Sequence, residues 1–535
     1  MNTIAHSFAR RAPLLGAILG MVALLCVRWV RGAEAAAGAG ETTYIQEYRV
    51  KGAKQLGSEE IGEVVYPYLG PGRSAEDVEG ARAALEKAYQ EKGYQSVSVE
   101  IPKQDVRGGV VFLQVNENTV GRLRVKGSRY FSLEQIRNGV PSLGEGGVPN
   151  FNSVAREIVS LNQLPDRRIT PTLRPGVEPG TVDVDLNVKD TLPLHGSLEL
   201  NNRYSANTTP LRLNGSINYT NLWQLGHTLG FSFQIAPERL SDATIYSAFY
   251  IARIPGVDWF SLLVQGTKQN SNVSTLGGGS SVGDGQTAGF RLMFTLPAPN
   301  TTGFYHSLSL GMDYKHLAQD LILGDTATGS PITYYPITLE YNAALANADS
   351  TTELSASVVA GTRGAGSSTE EFDNRRYNAD GSFIYLRGSL SHTHDLPLGF
   401  QVYGQVQGQA SAYPLVDSEE FSGGGLDTVR GYLESEVLGD SALIGSFELR
   451  SPSLPKVLGI DEWRVYGFTE GGSLTLNDPL PEQQSRFDLA SVGAGSRVQF
   501  LKHFNGSLDA GVPLISQINS QAGSVLLTFR IWGEF

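Results

Sequence analysis

The sequence predicts a mostly β membrane protein, with two small α+β domains followed by a transmembrane antiparallel β-barrel of about sixteen strands. Three observations predict it. A short segment occurs twice, as RVKGAKQLGSEEI from Arg49 to Ile61 and as RVKGSRYFSLEQI from Arg124 to Ile136. After residue 193 helical periodicity stops and alternating apolar–polar runs take over. The 535 residues include 62 Gly, 22 Tyr and 22 Phe but only 18% charged residues, which suits many strands and turns facing an apolar solvent. The net charge of −12 argues against a nucleic-acid partner, because no basic surface offsets the phosphates.

Residues 1–37 read as an export signal and stand outside the fold. Arg10 and Arg11 precede an apolar run from Ala12 to Val27, and Ala33-Glu34-Ala35 or Ala35-Ala36-Ala37 offers a cleavage site. The run is shorter than the about 20 apolar residues of a spanning helix, which favours removal over a retained anchor. Its Cys26 is the single cysteine, and Leu25 before it is too large for a lipid-attachment signal. A chain processed here carries no thiol, which suits an oxidising compartment.

The first module covers residues 43–118. Tyr44–Val50 alternates as a strand closed by Gly52, and Ser58 is the expected N-cap of a helix bearing Ile61, Val64 and Val65. A second helix runs from about Ala75 to Lys92 and ends at Gly93; Gln95–Ile101 and Gly109–Val115 are strands. The order is β-α-α-β-β. The second module, residues 119–190, repeats it in VGRLRV, SLEQIRNGV, FNSVAREIVSLNQL, ITPTLRP and TVDVDLNV. Each unit is large enough for a two-layer domain. The residues leave two readings open: an open sheet edge that accepts an extended guest chain, or a pair of spacers.

Residues 194–535 form the barrel. Strand-length runs, from LHGSLELNNRY through ITYYPITLEYNA to GSVLLTFRIWGEF, are separated by Gly, Asn, Asp, Ser and Pro clusters. In the last run Val525, Leu527, Phe529, Ile531 and Phe535 share a face, against Ser524, Thr528, Arg530 and Glu534. In ALIGSFELR, Leu443, Phe447 and Leu449 oppose Ser446, Glu448 and Arg450. One face suits lipid, the other a wet lumen, and closure removes edges that hydrocarbon would leave unsatisfied. Tyr204, Tyr219, Trp223, Trp259, Tyr466 and Trp532 fit an interfacial belt.

One connection is unusually long, residues 413–440 between the eleventh and twelfth strands. It contains Val429-Arg430-Gly431-Tyr432, where Gly431 permits a tight bend that presents the planar, always charged fork of Arg430. Folded into the lumen, Arg430 needs an acid on the wall. Glu470 is a candidate in the thirteenth strand, where it shares a face with Phe468 two residues away, opposite Gly467 and Thr469 and shortly before Gly472. Glu448 and Arg450 are lumen residues near it. The plainer alternative makes Arg430 a solvated turn residue and Glu470 one more lumen charge.

FSGGGLDTVRGYLESEVLGDSALIGSFELRSP resembles the signature region of the two-partner secretion transporters, the haemolysin and filamentous-haemagglutinin exporters of the Omp85 superfamily. LNQLPDRRITPTLRPGVEPGTVDVDLNV resembles the end of that family's second POTRA domain. The resemblance covers nearly everything after the signal. It implies two periplasmic POTRA domains, a sixteen-stranded outer-membrane barrel of a Gram-negative cell, and a hairpin whose Arg430 pairs with the wall. It implies an unfolded exoprotein as cargo, held by the POTRA domains and drawn outward by its own folding. Outer-membrane lipid and the barrel assembly machinery are the other expected partners, with Phe535 as the assembly signal. The chain departs from the family pattern at Glu470, where Asp is usual, and at AAAGAGETTY, which is too short for a plug helix.

Other constellations carry less. His392 and His394 in SHTHD read as a lumen-lining pair without a third ligand. GGGSSVGDG, Gly277–Gly285, lacks the helix and lysine of a nucleotide loop, and Asp183 and Asp185 read as solvated. With no Ser/His/Asp arrangement, the sequence predicts no enzyme, no metal, no nucleotide and no cofactor. The rival readings are an assembly factor for other barrels, which usually carries three or more POTRA domains, and a passive porin, which needs neither module nor hairpin.

Overall fold

The computed structural model describes residues 42–106, 108–254, 256–271, 283–298, 303–318, 320–323, 326–329, 331–362, 364–454 and 459–535. The signal at 1–37, the expected absence of a plug helix before the first module, and Gly277–Val282 of the glycine-rich loop lie outside them. The chain divides between Pro193 and Leu194 into two compact units.

In the N-terminal unit each module is a three-stranded sheet under two helices. The first has Val110–Glu117 at its centre, parallel to Glu47–Lys51 and antiparallel to Val97–Glu100. Alternation buries Val111, Leu113 and Val115 against Ala81, Leu85 and Tyr89 of helix Ala75–Glu91. Gly93 ends that helix at φ +95°. Three expectations need correction. Ser58 opens the helix Ser58–Val65 rather than capping it: Gly57 is the N-cap, and its N–H donates to Glu60. The first strand breaks at Gln46 into Thr43–Ile45 and Glu47–Lys51, because the Gln46 and Glu47 N–H groups both donate to the Gly109 carbonyl. A further short strand, Gly70–Arg73, pairs with Thr43–Ile45.

The second module repeats the sheet with Thr181–Asp190 central between Thr119–Lys126 and Arg167–Pro175. Its helices, Leu133–Asn138 and Phe151–Leu161, are capped by Ser132 and Asn150. Asp183 and Asp185 are not solvated. They are buried beneath Arg124, Lys126 and Arg174, and hydrogen bonding to the Lys126 ammonium holds the Asp185 carboxyl below its usual range. Alternation placed both acids on one face without saying that three long cations fold over it.

The two modules expose different edges. Ile169 turns its N–H and C=O away from the sheet, to the Asn162 side chain. Pro171, Leu173 and Pro175 share that direction, so prolines remove two of the next three outward donors. The other edge, Thr119–Lys126, is covered by Gly146, Gly147, Glu145 and Arg137. In the first module Glu47 faces the sheet centre, so Tyr48 and Val50 point their main-chain groups outward, with no proline among them.

Residues 194–535 form a closed antiparallel barrel of sixteen spanning strands. In ITYYPITLEYNA, Pro336 splits one spanning strand into Ile332–Tyr334 and Ile337–Ala346, both paired with Phe304–Ala318. The final strand, Leu526–Glu534, closes on the first, Leu194–Asn201. Alternation puts Leu443, Phe447, Leu449, Leu527 and Ile531 outside, and Glu448, Glu470 and Asp509 inside. Trp223 and Trp259 are exposed next to turns, in keeping with a belt, but Tyr466 and Trp532 point inward. His392 also breaks expectation. It shares the outer face with exposed Leu386 and Leu390, because Tyr385 is the inward residue that sets the phase of strand Ile384–Asp395, and His394 follows it there.

Candidate functional site

The connection 413–440 folds back into the barrel. Phe421–Gly423 pairs antiparallel with Val437–Gly439 as its stem. Gly423 and Gly439 let the stem lie against Leu474, where a Cβ would stand 2.8 and 3.0 Å from that side chain, closer than ordinary contact. Val429, Tyr432, Phe421 and Val437 then pack with Ala442, Ile444, Leu474 and Leu489 of the wall in one buried apolar cluster. The Tyr432 hydroxyl donates to the Ile515 carbonyl (2.7 Å) and accepts from the Ala490 N–H (3.3 Å).

At the tip, Gly431 takes φ +92° and lies against the backbone of Gly511 and Val512 in strand Phe504–Pro513. A Cβ at Gly511 would stand 2.5 Å from the Gly431 nitrogen, so both positions must lack one. This main-chain contact turns Arg430 toward the wall. Its N–H donates to Glu470 Oε2 (2.6 Å), its Nε to Glu470 Oε1 (2.9 Å), and its Nη2 to the same carboxylate. Nη1 reaches Glu448 Oε1 (2.8 Å) and Asp509 Oδ1 (3.1 Å). The guanidinium lies 3.6 Å from the Phe468 ring centroid, a stacked cation–π contact.

The acids are themselves held. Ser446 donates to Glu470 (2.8 Å) and Tyr466 to Asp509 (2.7 Å); Arg450 and Arg497 reach Glu448 at 2.7 and 3.1 Å. Arg430, Arg450 and Arg497 therefore face Glu448, Glu470 and Asp509, a charge-balanced set in which Arg430 and the three acids are buried, Arg450 is partly buried and Arg497 is exposed. Gly493 and Gly495 of the next strand leave the hollows that Phe468 and Tyr466 fill.

Of the residues singled out in the sequence, Val429, Arg430, Gly431, Tyr432, Phe468, Glu470, Glu448 and Arg450 come together here. Gly472 lets the backbones of two wall strands approach at Leu443 and Ile444. Gly467 stands apart on the outer face, in phase with exposed Val465. Phe535 is also remote: its N–H and C=O pair with Gly196, and its ring lies against that glycine. Sequence reasoning missed Asp509 and Arg497. Alternation in FNGSLDAGVP turns Asp509 inward, but nothing local marks it as a partner of a loop 79 residues away.

The base of the hairpin carries further ion pairs. Glu419 accepts from Lys315 (2.5 Å), Tyr334 (2.5 Å) and Tyr385 (2.7 Å). Asp417 pairs with Arg375 (3.0 Å), and Asp440 accepts from Arg376 (2.9 Å) and from the Leu415 and Asn477 N–H groups. Arg375 ends the helix Thr369–Arg375, which belongs to the preceding surface loop.

A closed barrel with an arginine-tipped hairpin clamped in its lumen, following tandem POTRA-like modules, defines an outer-membrane pore of the Omp85 type. The chain belongs to the family described as haemolysin secretion/activation protein ShlB/FhaC/HecB, whose profile matches residues 180–498; residues 43–118 match the ShlB-type POTRA domain. The outer membrane transporter CdiB of Dickeya dadantii is 22% identical over 404 residues, 74% of this chain and 70% of that protein. A CdiB of Escherichia coli is 23% identical over 476 residues, 87% and 78% of the two chains. Among solved structures, CdiB from Escherichia coli superposes with a TM-score of 0.67 at 20% identity, covering 95% of this chain and 93% of that one. BamA from Haemophilus ducreyi lacking POTRA domains 1–3 gives 0.55 at 14%, covering 92% and 100%. Members of the family are two-partner secretion transporters, and this chain is an exoprotein export pore of the outer membrane with its POTRA domains in the periplasm.

Proposed function

We propose that the hairpin is the gate of this exporter and that the Arg430 cluster is its latch. One observation carries the reading: a single side chain from the hairpin tip joins three wall carboxylates that belong to three different strands. Such a junction holds the tip in the lumen, and cargo passage requires it to part. A neutral, fully paired cluster can part and reform, whereas removing one member leaves buried charge uncompensated at a cost of about 3–5 kcal/mol.

The first module supplies the entry point. Its Glu47–Lys51 edge, with the outward groups of Tyr48 and Val50, takes the unfolded exoprotein as an added strand, while proline guards the second module's edge. Folding of the cargo outside draws it forward, so no catalytic step is assigned to the chain. Phe535, fixed to Gly196 where the barrel closes, is the mark read by the assembly machinery.

Arg430→Ala tests the gate. The barrel should remain heat-modifiable in electrophoresis, cargo in the medium should fall sharply, and the purified pore should open more often in planar bilayers. Wild-type export together with wild-type conductance would sink the reading. Loss of many outer-membrane barrels from the cell, with cargo unaffected, would instead identify an assembly factor.

A further inference from the structure

The barrel is joined where its last strand meets its first; the register there runs from Ser197 opposite Glu534 to Asn201 opposite Arg530, and Gly196 and Phe535 exchange main-chain hydrogen bonds just before it. The first strand pairs with its other neighbour over a longer stretch, from Leu194 opposite Tyr219 to Asn201 opposite Arg212. Beyond Asn201 the contact changes character. The Asn202 N–H still donates to the Phe529 carbonyl (3.4 Å), and its side chain takes further main-chain partners, donating to the Leu527 carbonyl (2.8 Å) and accepting from the Phe529 N–H (2.7 Å). Arg203 follows and turns to the hairpin instead. Its Nε donates to Glu434 Oε1 (2.7 Å) and its Nη2 to Glu434 Oε2 (3.2 Å) and Asp427 Oδ2 (2.7 Å). The Glu434 N–H also donates to the Tyr204 carbonyl (3.1 Å).

We infer that Arg203 is a positioning residue for export: it ties the hairpin to the seam, so that withdrawal of the tip frees the outer end of the first strand. The proposal rests on the gate reading above. The geometry is that of a clasp. Glu434 presents both oxygens to a planar fork, a bidentate pairing with directional as well as Coulombic strength. Glu434 is buried, and its Oε1 also accepts from the Leu426 N–H on the opposite arm of the hairpin (3.2 Å). The clasp therefore closes both hairpin arms and the first strand on one carboxylate. Asp427 and Glu434 flank Arg430 in sequence, so the tip cannot leave its wall acids without moving the residues that Arg203 holds. Asn201 keeps the fork aimed, since its Oδ1 accepts from the Arg203 N–H (2.9 Å).

The consequence is a pore whose seam and gate share one joint. With the hairpin seated, Arg203 is fixed and the first strand stays registered on the last. With the hairpin drawn out, the strand end loses its charged anchor, and the main-chain and side-chain bonds of Asn202 are what remain above the ladder.

The test uses the full chain in planar lipid bilayers, with heat-modifiability as the check on folding. Arg203→Ala should open severalfold more often than wild type, and Arg203→Lys, which keeps the charge but loses the fork, should fall between them. Glu434→Gln removes the same pairing from the hairpin side and serves if the first barrel does not assemble. Leu200 and Ile531 are partners across the seam and lie on the lipid face. Leu200→Cys with Ile531→Cys, joined by a short bis-methanethiosulfonate in which each thiol displaces a sulfinate to form a disulfide, should return Arg203→Ala to the wild-type opening frequency. An opening increase that survives the cross-link overturns the coupling, because the seam is then not involved. Frequent opening of Arg430→Ala beside silent Arg203→Ala and Glu434→Gln overturns the inference and leaves the gate reading intact. If Arg430→Ala is silent too, the gate reading fails with it.

Discussion

The hairpin is held by ion pairs at its tip and at its base, and the two sets have opposite polarity. At the tip the cation, Arg430, sits on the hairpin and the anions sit on the wall. At the base the anions, Asp417, Glu419 and Asp440, belong to the hairpin connection, and the cations Arg375, Arg376 and Lys315 belong to its surroundings. The base acids are spread over three separate partners, and Asp440 also caps main-chain N–H groups of Leu415 and Asn477. At the tip one guanidinium meets all three wall acids, and Arg203 holds the flanking Asp427 and Glu434. Distributed pairing tolerates the loss of any member, whereas all three wall contacts of the tip go with the one Arg430 side chain. The base is built as a hinge post and the tip as a catch.

That contrast can be broken in a graded way. Arg430→Ala should have the largest effect, with export falling on the order of tenfold or more for the loss of a buried pair. Glu470→Ala should be milder, since Glu448 and Asp509 still hold the guanidinium. The double variant should be no worse than Arg430→Ala alone, and additive losses in a double-mutant cycle would show that the two residues act separately. Gly431→Ala comes next. The positive φ and the Gly511 contact make it strained, at about 1–3 kcal/mol, so the tip should unseat partially and bilayer openings should rise less than in Arg430→Ala. Glu419→Gln should have the smallest effect on export. It should raise cleavage within residues 413–440 when intact cells are treated with external protease, without a change in conductance. A base variant that opened the pore as readily as Arg430→Ala would erase the distinction between post and catch.

Much of this was legible in the sequence because period-two alternation is local. The sixteen runs, the two modules and the Arg430–Glu470 juxtaposition all follow from spacing, turn chemistry and the family signature. What was not legible is set across the barrel. Asp509 and Arg497 join the cluster only because closure brings the fourteenth and fifteenth strands beside the hairpin tip. Arg203 meets Glu434 across 231 residues. Residue type assigns Tyr466 to the belt, yet its phase turns it to the lumen, where it donates to Asp509. His392 is the opposite case: its polarity suggests the lumen, but alternation from Tyr385 puts it outside. In a strand, phase outranks chemistry.

The prolines at 171 and 175 have a consequence beyond cargo entry. Exporter molecules crowd in two dimensions, and a bare strand on each would let neighbours zip into ribbons long before any client arrived. Because the second module withholds two of its outward donors, its edge gives a neighbouring copy little main chain along which to extend such a ribbon.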